Sequence, residues 1–285
     1  MLLSICIPTY NRSQKVLGLL KYLEDETEKI DGLKLQFEII VGDNSSDKLT
    51  EDICINTKLH KQNVLKYIKN ESNIGLIGNV LNLASKSNGE YVWIMGDDDI
   101  YYENILFLIK EAILEDDYSY IYLNHRAYRE GEKVLSGSGF DSAIVLNKKF
   151  VYRDGKGMAL DIWNCTQTSL MFISASIFKS ETLKDCIKSQ KNKNLAFPLF
   201  MSFYCAAQGK TKIIDKICID NVWGNTSWSK SASDVFYNFV PSILYSLPNI
   251  GYSYIESRKI FFKYISTKIK AIIIYTLKNR LTISK

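Results

Sequence analysis

The chain has 285 residues, of which 46% are hydrophobic and 24% charged, with only four prolines; that composition supports a sizeable core and excludes wholesale disorder. No solenoid-length repeat is visible, and no window approaches the roughly 18 apolar residues needed to span a bilayer. The net charge of +5 is unevenly placed: residues 251–285 carry eight basic side chains against the single acid Glu256, leaving 28 basic and 30 acidic residues elsewhere.

The elements follow in chain order. MLLSICIPTYNRS lacks a basic leader and a small-residue cleavage site, so its apolar run reads as a strand, residues 3–7, rather than a signal peptide. A helix is expected over 13–27, with Val16, Leu19, Leu20 and Leu23 on one face. A strand at 37–41 runs into Gly42-Asp43-Asn44-Ser45-Ser46-Asp47. Next come a helix near 49–59, a strand at 64–69 ending before Asn73-Ile74-Gly75, and a helix at 75–86. A strand at 91–95 ends at Gly96-Asp97-Asp98-Asp99. Strands alternating with helices predict an α/β domain with a largely parallel sheet, whose ligands bind beyond the strands' carboxyl ends. The four polar segments that follow the strands should therefore gather along one edge.

Beyond residue 118 the pattern loosens. Strands are expected at 118–124, 170–174 and 212–220, a helix at 194–208, a loop at 221–233 with Trp223 and Trp228, and helix from 235 onward. Six cysteines without a CxxC pair, and only two histidines (His60 and His125), disfavour a zinc site. They suggest reduced thiols and a cytoplasmic setting.

Three consecutive aspartates after a buried strand carry the strongest chemical signal. Adjacent carboxylates repel one another, and a hard divalent cation relieves that repulsion. The alternative is a cap, with Asp98 or Asp99 starting the helix around residues 105–109. Asp43 suits a base or ribose contact, or an Asx-turn. The absence of GxGxxG and GxxxxGK[ST] disfavours a dinucleotide fold and a P-loop.

Strand-PTYNR, strand-VGDNSSD, NxG and GEYVWIMGDDD together resemble the family 2 glycosyltransferases of GT-A fold. Gly96 before the three aspartates and the Trp-containing loop are similar to the abequosyltransferase branch that builds O-antigen and capsule. The resemblance implies a Rossmann-like, mostly parallel central sheet flanked by helices. A GT-A domain would span 1–233, with a nucleotide-binding half at 1–117 and an acceptor half at 118–233, followed by a helical extension at 234–285. It implies a nucleotide pocket lined by Pro8, Thr9, Tyr10 and Arg12, a base contact from Asp43, and Asn73 and Gly75 beside the nucleotide. Asp98 and Asp99 match the pair that meets ribose and a metal-bound diphosphate, with Asp97 as an alternative partner. The implied cofactor is Mn2+ or Mg2+, and the donor a UDP-, CDP-, GDP- or dTDP-linked sugar. The acceptor would be a lipid-linked glycan, and the transfer inverting.

One departure stands out. Many relatives start the helix that precedes Gly209 with a Glu-Asp pair, one of which serves as general base. Here Phe197-Pro198 stand instead, and 196–208 hold no acid. Asp161 is the preferred substitute base, with Asp154, Asp141 and His125 as further candidates. Trp223 and Trp228 could stack on an acceptor sugar, with His125 nearby, or anchor a loop to the core. In the tail, Phe261, Phe262, Ile265, Ile269, Ile272 and Ile273 recur at helical spacing among lysines. This pattern suits the surface of an anionic membrane, or a helix packed on the body with its lysines in water. The expected location is cytoplasmic, peripheral at the inner membrane face. Nucleic acid is disfavoured by the near-neutral, aspartate-bearing body. A nucleotidyltransferase and a catalytically inactive docking module remain the alternatives.

Overall fold

The computed structural model describes residues 1–30, 36–45, 48–129, 141–144, 154–223 and 229–283. In chain order these form β1 (Leu3–Thr9), α1 (Ser13–Ile30), β2 (Phe37–Asp43), α2 (Lys48–Asn56), α3 (Lys58–Lys61), β3 (Leu65–Lys69), α4 (Gly75–Lys86), β4 (Tyr91–Ile94), β5 (Ile100–Tyr101), α5 (Ile105–Glu115) and β6 (Tyr118–Arg129). They continue with α6 (Gly155–Cys165), β7 (Ser176–Lys179), α7 (Ser180–Ser189), α8 (Phe197–Ala207), β8 (Lys210–Trp223), α9 (Ala232–Asp234), α10 (Val240–Ser246) and α11 (Tyr254–Ile283).

The sheet runs β3-β2-β1-β4-β7-β6-β8-β5. β1 pairs in parallel with β2 and β4, β2 with β3, and β6 with β8; β7 and β5 run against their neighbours. Every residue of β1 is buried, as a strand covered on both faces requires. Leu3, Ile5 and Ile7 face a layer holding α1 and α5. Cys6, Ile40 and Ile94 face the opposite layer, where Ile77, Val80 and Leu83 of α4 and the apolar side of α8 pack. This is the expected mostly parallel α/β sheet between helices.

The second half departs from its sequence pattern in several places. Leu170–Ser174 is not a strand: Ser169–Met171 and Ile173–Ala175 are two 3-10 turns, and β7 starts only at Ser176. Ser169 Oγ donates back to Thr166 O (2.6 Å) and Trp93 Nε1 donates to Ser174 O (2.8 Å), so the apolar run is buried as turns. A short apolar run cannot by itself separate these outcomes. The helix expected at 49–59 divides at Thr57, whose side chain caps α3 by accepting from His60 N (3.1 Å). α6 and α7 were not legible as helices. The C-terminal helical region is broken by a π turn at Val235–Phe239, a 3-10 turn at Leu247–Ile250 and Gly251 at φ 92°. No disulfide joins the six cysteines, all of which lie among the described residues; Cys165 is exposed and the other five are buried.

Candidate active site

The carboxyl ends of β1, β2, β3 and β4 meet at one edge. After β1 the chain turns at Asn11, whose φ of 53° is a left-handed conformation that Asn tolerates. The turn brings Arg12 onto the end of β4. Arg12 NH1 donates to Asp97 Oδ1 (2.9 Å) and Asp98 Oδ2 (2.6 Å), and Thr9 Oγ1 donates to Asp97 Oδ2 (2.6 Å). Pro8 sits where pairing with β4 has ended at Cys6, so its missing N–H costs that ladder nothing. Tyr10 is exposed at the same edge.

Asp99 turns the other way. Its Oδ2 accepts from Ser174 Oγ (2.7 Å), and Ser174 Oγ also accepts from Gly96 N (3.1 Å). A Cβ on residue 96 would lie 2.5 Å from Asp99 Oδ2 and 2.9 Å from Ser174 Oγ, so a glycine is needed for the aspartate to fold back over it. Asp99 is half-buried as a residue, but its carboxyl is held inward against Ser174, which is almost wholly buried. Burial, reinforced by the charges of Asp98 and Asp97, pushes that carboxyl up to about 8. Burial also raises Asp97, although Thr9 and Arg12 favour its charged form.

The aspartates do not cap α5. That helix begins at Ile105, preceded by Asn104, and β5 intervenes between Asp99 and its start. The backbone N–H of Asn104 is met by Glu26 Oε1 (3.0 Å) instead. Among the described residues no three His, Cys, Asp or Glu side chains converge as a complete ligand set. The donor chemistry nevertheless fits a divalent ion that arrives with a diphosphate. One guanidinium answers two of three adjacent carboxylates, and the third has its charged form disfavoured until a cation approaches.

The end of β2 forms the other wall. Asp43 is fully buried and accepts from Tyr67 OH of β3 (2.5 Å). Burial and the Asp43 carboxylate push the Tyr67 phenol upward, so it stays a donor. Beside it runs an asparagine network. Asn44 Nδ2 donates to Asn73 Oδ1 (2.6 Å), Asn70 Nδ2 to Asn79 Oδ1 (3.0 Å), Asn79 Nδ2 to Gly42 O (2.7 Å) and Asn82 Nδ2 to Asn70 Oδ1 (2.6 Å). Asn73 Oδ1 also takes Gly75 N (2.9 Å), at a glycine with φ 74°. Asn73 and Gly75 therefore stand at this edge as parts of a polar lattice. Sequence reading missed Asn44, Tyr67, Asn70, Asn79, Asn82 and Ser174. The available signal was Asn79 and Asn82 interrupting the helical pattern of Ile77, Val80 and Leu83, where asparagine is a poor helix former.

The acceptor-side expectations are corrected more heavily. His125 is 1% exposed, packed on Phe172 with ring centroids 4.5 Å apart, and burial pulls it down to about 3. It is a neutral core residue and leaves both the base and acceptor sets. Asp154 is the N-cap of α6, accepting from Gly157 N (2.9 Å). Asp141 is exposed, and Asp161 is half-buried on α6 between the buried Leu160 and Ile162. Trp223 is the last residue of β8; Trp228 lies outside the described residues. Phe197 and Pro198 are buried at the start of α8, so no acid is presented there.

A parallel sheet whose carboxyl edge joins a PTYNR turn to three aspartates, followed by a mixed β7-β6-β8-β5 extension, is the architecture of a GT-A glycosyltransferase. The chain belongs to glycosyl transferase family 2, whose sequence model matches residues 4–178, well over half its length. It is 34% identical over 126 residues to abequosyltransferase RfbV of Salmonella typhimurium, a match spanning 44% of this chain but only 36% of that protein. Among solved structures it is similar to S. aureus TarS 1-349 (TM-score 0.61, 17% identity, 95% of this chain and 72% of that one). It is also similar to the mannosyltransferase PcManGT of Pyrobaculum calidifontis in complex with GDP-Man and Mn2+ (TM-score 0.53, 10% identity, 99% and 80%). Complexes of TarS 1-349 with UDP and with UDP-GlcNAc have the same fold.

Proposed function

We propose that the chain moves a glycosyl group from a nucleoside-diphosphate sugar to a hydroxyl of a lipid-linked glycan during surface-polysaccharide assembly. The observation that carries this is the joining of the β1 turn to the β4 end through Arg12, Asp97 and Asp98, with Asp99 held separately by Ser174. Pro8, Thr9, Tyr10 and Arg12 line the nucleotide, Asp43 contacts the base, and Asn73 and Gly75 border it. Asp98 and Asp99 hold Mn2+ or Mg2+, with Asp97 fixing Arg12 and Thr9. A bound divalent ion supplies charge neutralisation for the departing nucleoside diphosphate. In the transfer the anomeric C–O bond to phosphate breaks, a new bond forms to the acceptor oxygen, and the hydroxyl proton passes to a base. We assign that base to Asp161; a base acting from the face of the sugar opposite the leaving group would give inversion.

The donor's nucleotide is read by a thermal-shift panel of UDP, CDP, GDP and dTDP, with and without Mn2+. A nucleotide at 100 times its Kd stabilises by about 2.7 kcal/mol. The expected result is a Mn2+-dependent shift with one nucleotide that disappears in Asp99→Ala. No shift with any nucleotide defeats the donor assignment and favours an inactive docking module, whereas pyrophosphate release from a triphosphate favours a nucleotidyltransferase.

The membrane part of the proposal rests on α11. Its inner side is seated on the body through Ser257, Ile260 and Tyr264, with Phe261 and Ile265 partly buried beside them. Ile255, Phe262, Ile269 and Ile273 are 65%, 63%, 46% and 52% exposed. At about 100° per residue these four fall within roughly 40° of one another, opposite the buried side. The tail pattern thus divides into two apolar faces rather than one. Lys259, Lys263 and Lys270 flank the outer stripe, which suits an anionic leaflet met side-on. No helix among the described residues is long and apolar enough to cross a membrane.

A further inference from the structure

The strands of the second half project past the aspartates. β6 and β8 have 12 and 14 residues, whereas β4 has four. They run in parallel, and their carboxyl ends extend from the same sheet edge as those of β1, β2 and β4. A register shift between Leu123 and His125 re-aims the end of β6. Asn124 secures that bulge: its Oδ1 accepts from His125 N (3.0 Å) and Ile144 N (3.1 Å), and its Nδ2 donates to Asp215 O (2.7 Å).

Beyond the bulge four side chains meet. Arg126 grips Asp220 bidentately, Nε to Oδ1 (2.7 Å) and NH2 to Oδ2 (2.8 Å). Tyr102 OH donates to Asp220 Oδ1 (2.9 Å) and meets Arg126 NH2, and the guanidinium lies 5.4 Å from the Tyr102 ring centre. Tyr128 stands beside them, its phenol pushed up by burial and by the nearby Asp220 carboxylate. Asp220 is 5% exposed, whereas Arg126, Tyr102 and Tyr128 are half-exposed above it. Asp220 pairs across the ladder with Ile100, the residue next to Asp99, and Ile100 is itself exposed.

The chemistry of this cluster differs from that of the aspartate site. Its one cation and one anion cancel, so it has no net attraction for phosphate. It offers two phenols, a planar guanidinium and aromatic faces, which suit a polyhydroxylated, uncharged ring. Nothing in the donor chemistry uses it, and the pair is more elaborate than a surface contact requires.

We propose that Tyr102, Arg126, Tyr128 and Asp220 form the acceptor wall, receiving hydroxyls of a neutral sugar ring beside the aspartate site. The assignment rests on the glycosyl-transfer reading. It is tested by saturation-transfer NMR with methyl glycosides of glucose, galactose, mannose and rhamnose, in the presence of Mn2+ and whichever nucleotide gives the thermal shift. The expected result is a signal from at least one glycoside with wild type, weakened at least fivefold in Tyr128→Phe and Tyr102→Phe, while the nucleotide shift stays within error of wild type. Tyr128→Phe retains the ring and fold, and its melting point guards against misfolding. Equal signals from wild type and both variants overturn the wall. So does a wild type that shifts with nucleotide but binds no glycoside. Loss of the nucleotide shift in wild type itself sinks the donor reading and this assignment with it.

Discussion

The two halves of the domain solve the same problem differently. In residues 1–117 the chemistry begins at the strand ends: Thr9 and Asp43 close β1 and β2, Asp97 follows β4 by three residues, and parallel pairing brings them to one edge. In residues 118–223 the strands overrun that edge, and their polar residues meet through long-range pairs such as Arg126 with Asp220. The first half is built to hold a charged ligand, because acids outnumber Arg12 there. The second half is built from cancelling charges and phenols. On the proposed reading a donor site needs fixed charge and an acceptor site needs shape and hydroxyl partners, which matches this division of residues.

The sharpest break between the halves should come at Asp99. Asp99→Ala removes the carboxyl that Ser174 positions and should lower transfer about 100- to 1,000-fold, the range expected when an electrostatic stabiliser of the leaving group is lost. Gly96→Ala should behave as a weaker version. Its Cβ would collide with Asp99 Oδ2 and displace the carboxyl without deleting it, raising the Mn2+ requirement before abolishing turnover. Radiolabelled transfer against Mn2+ concentration reads both. Asp161→Asn tests the other half: loss of a general base should cost about 100-fold or more in kcat, with donor binding unchanged. Turnover within a few-fold of wild type removes Asp161 from the mechanism.

Protonation gives the next effect. A carboxyl pushed up to about 8 by burial is protonated below that pH, and its ionised form is the one that binds metal. Because its folded value lies above its unfolded one, the unfolded chain releases this proton first as pH rises. Between about 4 and 8 this group therefore makes the metal-free fold progressively less stable. Mn2+ binding should show the mirror image, with apparent affinity rising about tenfold per pH unit up to about 8 and levelling above it. Calorimetric titrations at pH 6, 7, 8 and 9 should trace that bend for wild type. Asp99→Asn should lose it, and a wild-type profile flat across this range would contradict the buried, desolvated carboxyl.

The halves also differ in how much of them the sequence discloses. In the first, strand ends coincide with the polar motifs, so a one-dimensional pattern carries three-dimensional meaning: 3–7, 37–41 and 91–95 lie inside or within one residue of the observed strands, and α4 matches at both ends. In the second, Leu170–Ser174 is apolar because it is buried, and burial is shared by strands and turns. Asp154 looked chemical because an acid in an irregular stretch can be either a base or a cap. His125, expected just past a strand, lies within β6, and its environment comes from Phe172, far along the chain. The Arg126–Asp220 pair, 94 residues apart, had no sequence signal.

Two buried asparagines make the comparison quantitative. Asn79→Ala removes the side-chain donor to Gly42 O and one of the two acceptors of Asn70 Nδ2, and Asn124→Ala strands Ile144 N and Asp215 O. Each should cost about 2 kcal/mol, since a buried polar group left without its partner forfeits its desolvation cost. At this chain length that lowers Tm by about 4–8 °C. Their functional signatures should separate: Asn79→Ala loosens the wall beside Asp43 and weakens nucleotide binding, whereas Asn124→Ala relaxes the β6 bulge and weakens glycoside binding. Identical ligand profiles for the two variants would mean that the halves are one cooperative site.

The smallest effect belongs to α11, because the helix has two apolar faces and only one is available to a bilayer. Phe262→Ser removes an exposed ring. It should leave stability unchanged within about 0.5 kcal/mol, as surface substitutions do, yet weaken sedimentation with vesicles containing phosphatidylglycerol several-fold. Tyr264→Ala is the converse, since Tyr264 is buried and bonds Phe236 O at 2.8 Å. It should destabilise the fold by about 3 kcal/mol or more before it alters vesicle binding. If Phe262→Ser and wild type sediment equally with anionic vesicles, the outer stripe is not the membrane face. Binding that persists in neutral phosphatidylcholine at high salt would assign the contact to the apolar stripe alone and remove the lysines from it.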